Sequence, residues 1–309
     1  MTHVPALPVR RGLIFVSAAG IAWGTGGAVG DFLRRAGHLG PVAVTFWRFV
    51  IGAALLLAVA FFSRTAGPRR LAAPRSWGMP LALGVAMAVS QVTYFAAIAE
   101  TGVALATMIA MGANPLFVTA GSRLLFGERP GRAVKAGVAA AVAGLAMLAG
   151  GPGEFSAAGV GYAVLSGATY AAVTLLSGVE RGRAAPGQTM AWSFAAGSVC
   201  LLPLALADGV VPSGGDSGAA ALSLAYLGAV PTALAYGLFF AGLGVVSGTT
   251  AAVVVLLEPL VAALIGVLLL GEHLTALQLA GGTLLMAAVY RLGRAELATG
   301  PAEEGGGRG

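Results

Sequence analysis

The chain has 309 residues, 58% of them hydrophobic and only 10% Asp, Glu, Lys or Arg, with a mean hydropathy of +0.88. A soluble domain carries about 25% charged residues, so the solvent for most of this chain is lipid. The net charge of +6 is spread over too few residues to build a basic nucleic-acid-binding face, and nucleic acid is not expected as a partner.

A membrane-spanning helix needs about 20 mostly apolar residues. Ten are predicted, at 12–32, 41–62, 77–99, 102–125, 134–150, 156–178, 188–207, 218–241, 248–270 and 274–292. Arg10 and Arg11 precede the uncharged run from Gly12 to Gly30. That run is long for a signal peptide and many similar runs follow, so it reads as the first transmembrane helix. Ser76 to Ala99, Phe155 to Val179 and Ala184 to Ala207 carry no formal charge. Ser217 to Gly271 carries only Glu258 and is long enough for two helices, with the turn expected at 244–248. One sizeable loop, Arg64 to Ser76, is basic and contains Pro68 and Pro74. The Gly-rich tail 296–309 is expected to be disordered and cytoplasmic.

The chain repeats itself. Pro41, Trp47, Phe49 and Gly52 recur at an offset of 145 as Pro186, Trp192, Phe194 and Gly197. Asn114-Pro115-Leu116, then Gly127-Glu128, are matched at an offset of 144 by Glu258-Pro259-Leu260, then Gly271-Glu272. Gly20 and Trp23 correspond to Gly167 and Tyr170 at 147. The expected fold is therefore an all-α integral membrane protein of ten helices in two five-helix repeats, 1–151 and 152–295. Five is odd, so the second repeat enters the membrane upside down, the inverted arrangement of many secondary transporters.

Basic residues orient this arrangement. With the N-terminus in the cytoplasm, Arg10, Arg11, Arg64, Arg69, Arg70, Arg75, Arg129, Arg132, Lys135, Arg181, Arg183, Arg291, Arg294 and Arg308 fall on the inner side, fourteen in all. Arg34 and Arg35 fall outside, and Arg48 and Arg123 lie within helices. Both termini are thus expected in the cytoplasm, with the chain multi-pass in the cytoplasmic membrane.

The Trp23-Gly24-Thr25 and Trp47-Arg48-Phe49 segments, and above all the duplicated Pro115…Gly127-Glu128 and Pro259…Gly271-Glu272 spacing, resemble the EamA-like families of the drug/metabolite transporter superfamily. The resemblance covers residues 12–293. It implies a ten-helix inner-membrane carrier for small metabolites or drugs, with export the more frequent direction in such families. No Walker motif is present, so ion or substrate gradients are the expected energy source.

Charges in the hydrocarbon region face the protein interior and are functional candidates. Glu258 is read as the site for a substrate ammonium or a coupling proton, against the alternative of a structural carboxyl near a helix kink. Pro259 removes the amide that would serve the Val255 carbonyl, and Pro115 does the same for Met111. The pseudo-axis is expected to bring Asn114 beside Glu258. Arg48 is read mainly as an anchor that snorkels to the interface or pairs with Asp31, with a substrate carboxylate as the alternative. Trp23, Gln91, Tyr94, Tyr170 and Tyr236 are candidate cavity-lining residues, against ordinary interhelical packing. Pro115, Pro259 and Pro231 are the expected kink or gating positions. Trp47 and Trp192 read as packing residues. Gly137 with Ala141, and Ala140 with Gly144, give small-residue spacing that suits close helix contact, a homodimer face being one use.

Cys200 is the one cysteine, and His3, His38 and His273 lie outside the apolar stretches. No metal site, cofactor or intramembrane enzyme is therefore expected. The expected activity is secondary transport of a small metabolite, an amino acid or related compound, by alternating access. Proton-coupled multidrug efflux is the second reading, and a non-transporting receptor or scaffold the reading from another class.

Overall fold

A computed structural model describes residues 9–62, 76–127, 132–149, 156–179, 186–213, 216–243, 246, 254–255 and 257–298. Every secondary-structure element among them is helical: α1 (Val9–Gly37), α2 (Pro41–Phe62), α3 (Gly78–Thr101), α4 (Val103–Phe126), α5 (Arg132–Ala149), α6 (Ala157–Val179), α7 (Pro186–Asp208), α8 (Ser217–Leu243), α9 (Leu257–Leu269) and α10 (Ala276–Ala298). Seven of these, α1 to α4 and α6 to α8, are long and apolar enough to cross a membrane. The others carry the shorter apolar stretches Lys135–Leu148, Leu257–Leu269 and Ala276–Ala288. Outward faces are apolar, as at Phe62, Leu124, Val199 and Leu269. That is the expected inversion when lipid replaces water and helices satisfy every backbone group internally.

Three helices differ from expectation at their ends, and one of them, α10, runs to Ala298, past the expected 292 and into the stretch from 296 expected to be disordered. α1 runs beyond its apolar segment at both ends, since Arg10–Arg11 and Arg34–Arg35 are compatible with helix that leaves the hydrocarbon. Asp31, 2% exposed, holds Arg34 at 2.9 Å and Arg35 at 2.6 Å. α9 is described only from Leu257, not from 248, although residues 254–255 are also helical. Most of the expected turn at 244–248, nearly all of the basic loop and the tail beyond 298 lie outside the described residues.

α5 packs along α10, α2 along α7, and α4 along α9. α3 and α4 both pack on α6, while α8 and α9 both pack on α1. Small residues permit these approaches, because van der Waals contact rather than water exclusion holds helices together in lipid. A methyl group added at Gly24 would lie 2.7 Å from the Glu258 carbonyl of α9, and one at Gly167 would lie 2.5 Å from the Ala110 carbonyl of α4. Gly144 meets Gly281 backbone to backbone, an added Cβ at either coming within 2.8 Å of the other's carbonyl. The small-residue face of α5 is thus used within the chain, against α10.

α8 contains a π-helical turn, Ala229–Leu234. Pro231 has no N–H for the Leu227 carbonyl, and the wider turn lets the Thr232 hydroxyl donate to that carbonyl instead, at 2.8 Å.

Candidate functional site

Six helices of this bundle and one short one converge on a cavity of about 540 Å³ of atom-free space, its open side included. α1 supplies Trp23, Gly26 and Gly27, α2 Arg48, and α3 Ser90, Gln91 and Tyr94. α4 supplies Ala110 and Met111, α6 Ser166, Gly167 and Tyr170, α8 Tyr236, and α9 Glu258. Seven of the eight binding residues expected from sequence therefore share one wall. Asn114 does not. The α4 contribution comes one turn earlier, at Ala110 and Met111, where α6 packs closely: a Cβ at Gly167 would meet the Ala110 carbonyl, the Ala113 Cβ and the Asn114 amide nitrogen. Met111 is the residue whose carbonyl Pro115 releases.

Arg48 neither snorkels nor pairs with Asp31. It is 6% exposed, and its guanidinium spans three helices. Nε donates to Thr232 Oγ1 at 2.8 Å, Nη1 to Gln91 Oε1 at 2.5 Å, and Nη2 to the Pro231 carbonyl at 3.4 Å. Asp31 is occupied by Arg34 and Arg35. The π turn makes this arrangement possible: it positions the Thr232 hydroxyl to accept from Arg48 while donating to Leu227, and leaves the Pro231 carbonyl to accept from the same guanidinium. Gln91, three residues from Tyr94 on one face of α3, must present its carbonyl oxygen to Arg48, since arginine only donates.

Arg48 and Glu258 line the cavity together without a direct ion pair; the described ion pairs are those of Asp31. The Glu258 carboxyl has no hydrogen-bond partner among the described residues. Aromatic rings line and back the same cavity. Trp23 meets Tyr236 edge-on at 5.1 Å and Phe239 at 5.3 Å, and Tyr236 meets Phe194 at 5.3 Å. The Trp23 indole N–H is buried and has no partner among the described residues. Tyr94 hydrogen-bonds Thr107 at 2.7 Å, and Ser90 donates to the Ser166 carbonyl at 3.0 Å, tying α3 to α4 and to α6.

Trp47 and Trp192 stay out of the cavity, as expected of packing residues. Trp47 Nε1 donates to the Val210 carbonyl at 2.7 Å, and Trp192 stacks edge-on against Trp77 at 5.4 Å. Of the proline positions, Pro231 abuts the site through Arg48 and packs on Gly26, whereas Pro115 and Pro259 lie outside the lining.

Two contributors were missed in sequence. Thr232 was one, although a hydroxyl directly after a mid-helix proline is a readable signal, being placed to serve the carbonyl the proline abandons. The other is the use of Glu272. Its carboxylate accepts from the Val103 N–H at 2.6 Å and the Ala104 N–H at 2.8 Å, capping the N-terminus of α4 from 168 and 169 residues away. Gly102, at φ +84° and with a hypothetical Cβ 2.9 Å from that carboxyl, leaves room for it.

A bundle of apolar helices around a mixed-charge cavity defines a multi-pass membrane protein that handles a small solute. The EamA-like transporter family matches residues 10–150 and again 157–293. The chain belongs to that family and is a membrane transporter. It is 30% identical over 280 residues to YwfM of Bacillus subtilis, described as an uncharacterized transporter, with 88% of this chain and 90% of that one covered. An uncharacterized transporter of Archaeoglobus fulgidus is 33% identical over 264 residues, covering 85% and 90%. An uncharacterized inner membrane transporter of Salmonella typhimurium, YicL, is 24% identical over 285 residues, covering 91% and 94%. A crystal structure with 18% identity superposes with a TM-score of 0.64, covering 94% of this chain and 99% of that one, which speaks to the fold alone.

Proposed function

We propose that the chain is a secondary transporter that moves a small zwitterionic metabolite, an amino acid or a related compound, out of the cell by alternating access. The observation that carries this is the shared cavity, in which Arg48 and Glu258 offer opposite charges that do not neutralise each other directly. A site of near-zero net charge with two separated poles suits a solute that carries both signs. Glu258 receives the ammonium of the solute or a coupling proton. Proton-coupled efflux of cationic drugs is the second reading, favoured by the Trp23–Tyr236–Phe239 rings; the buried Arg48 in the same wall argues against a cation alone.

The proposed architecture is ten spans in two inverted five-helix repeats, 1–151 and 152–295, in the cytoplasmic membrane with both termini inside. The two separate matches to the family support it. So does the packing: exchanging α1 to α5 with α6 to α10 converts the α3–α6 and α4–α6 contacts into the α8–α1 and α9–α1 contacts, and leaves α2–α7, α4–α9 and α5–α10 unchanged. The contact of Gly167 with Ala110 has its counterpart in Gly20 with Val254, at the repeat offsets of 147 and 144.

Metabolite profiling of cells with and without overexpression tests the substrate and direction together. Depletion of one or a few amino-acid-like compounds inside and their enrichment in the medium is the expected result. Accumulation inside would reverse the direction, and an unchanged profile in cells that gain resistance to cationic drugs would select the second reading. Glu258→Gln is expected to reduce flux at least tenfold; unchanged flux and pH dependence would remove Glu258 from the mechanism.

A further inference from the structure

The cavity wall is not evenly supplied with hydrogen-bond donors. Three of its lining residues, Trp23, Arg48 and Gln91, carry N–H donors beyond those engaged by described partners. Trp23 is 8% exposed, lines the cavity, and its indole N–H is buried with no acceptor among the described residues. A buried donor left unmade is costly, and Tyr236 and Phe239 pack against this ring at 5.1 and 5.3 Å. Arg48 uses three of its N–H donors on Thr232, Gln91 and Pro231. A guanidinium has five, so two remain, and none of its three partners carries a charge. Gln91 spends its carbonyl oxygen on Arg48, which leaves its amide N–H groups without a described acceptor. The acid of the cavity, Glu258, makes no direct ion pair with this group.

A buried cation surrounded by spare donors lacks an anionic acceptor. We infer that the Trp23–Arg48–Gln91 corner is the subsite for a carboxylate of the transported molecule, bound by Arg48 and by the Trp23 indole N–H. The inference rests on the proposed zwitterion reading and assigns the end of the solute that reading left open. A carboxylate fits better than a phosphate: one negative charge balances Arg48, whereas a second would face Glu258 unbalanced across a small cavity. Trp23 and Arg48 sit on different helices, α1 and α2, so the bound carboxylate ties them together. Its loss frees both.

Binding to the purified full-length protein tests this, read as thermal stabilisation and as Kd by calorimetry. The probes are the twenty standard amino acids, the corresponding primary amines without the carboxylate, and the corresponding acids without the amine. At least one amino acid is expected to bind, with its decarboxylated amine at least tenfold weaker. Trp23→Phe removes the N–H together with the pyrrole ring that carries it; it is expected to weaken binding of the amino acid five- to tenfold while the affinity for the decarboxylated amine changes less than twofold. A merely structural Trp23 would instead weaken the binding of acid and amine alike. Amines that bind as tightly as their amino acids overturn the carboxylate subsite and leave transport intact. No binding by any carboxylate-bearing probe also overturns it, and only a flat metabolite profile in cells would overturn the transport reading as well.

Discussion

Arg48 owes its position to an imperfection in another helix. Pro231 abandons one carbonyl, Thr232 takes it up, and the hydroxyl so placed accepts from Arg48. Lysine cannot reproduce this, because a single ammonium cannot reach Thr232, Gln91 and the Pro231 carbonyl with the geometry of a planar fork. Arg48→Lys is expected to lower transport at least tenfold and to lower the melting temperature; flux in proteoliposomes and an unfolding curve in mild detergent check the two effects. Thr232→Val retains the shape of the side chain but strands the Leu227 carbonyl and the Arg48 Nε–H. The cost is about 1–3 kcal/mol, and Thr232→Ser should recover most of it. Such roles are hard to read in sequence. The pairing of Arg48 with Gln91 and Thr232 joins positions 43 and 184 residues apart, and hydropathy reports only that each lies at depth.

Elements, by contrast, were largely legible. Hydropathy is a local property and a spanning helix is a local structure, so α2 at Pro41–Phe62 coincides with its expected range, and α3, α4, α6 and α7 begin and end within two residues of theirs. The exceptions among the described residues are α1, which overruns 12–32 at both ends, α9, which begins at Leu257, and α10, which runs to Ala298 past the expected 292. What hydropathy does not encode is which helix each face meets. The stripe at Gly20 and Gly24 places α1 against the backbone of α9, and substitutions there act through distance. Gly24→Val is expected to push α1 away from the Glu258 carbonyl, distorting the cavity and abolishing transport even where the protein still inserts; flux and membrane abundance measured together separate these. Glu272 connects elements differently, by closing the end of α4 with a carboxylate from beyond α9. Glu272→Ala should destabilise the fold by about 1–3 kcal/mol, seen as a lower melting temperature with Glu258 unaltered.

For the whole molecule, the proposed inverted repeat makes a prediction about sidedness. Charge asymmetry places residues 64–75 inside, whereas Gly209 and Val210, at the end of α7, belong outside. In a Cys200→Ser background, cysteines at Arg69 and Arg181 are expected to resist a membrane-impermeant thiol reagent applied to intact cells, and a cysteine at Gly209 to react. Labelling of all three, or the reverse pattern, would contradict the orientation. The same duplication led the sequence to pair Asn114 with Glu258, and the cavity departs from that symmetry. Under the proposed repeat, Arg48 is answered by Ser193 and Glu258 by Asn114, so the two halves would present different chemistry to one site.

The sequence by itself determined that lipid is the solvent, where most of the helices run, that short motifs recur at nearly constant offsets and which family it resembles. These follow from composition and from patterns within a few residues, or from spacing that survives along one dimension. It also singled out Arg48 and Glu258, because charge is rare enough at depth to stand out. Only the tertiary structure decided that these two share a cavity without neutralising each other, that Thr232 and Gln91 hold Arg48, that Asn114 stays outside, and that Trp23 presents a donor with no acceptor among the described residues. Each of these depends on atoms brought together from distant helices, where a displacement of an ångström makes or breaks a hydrogen bond.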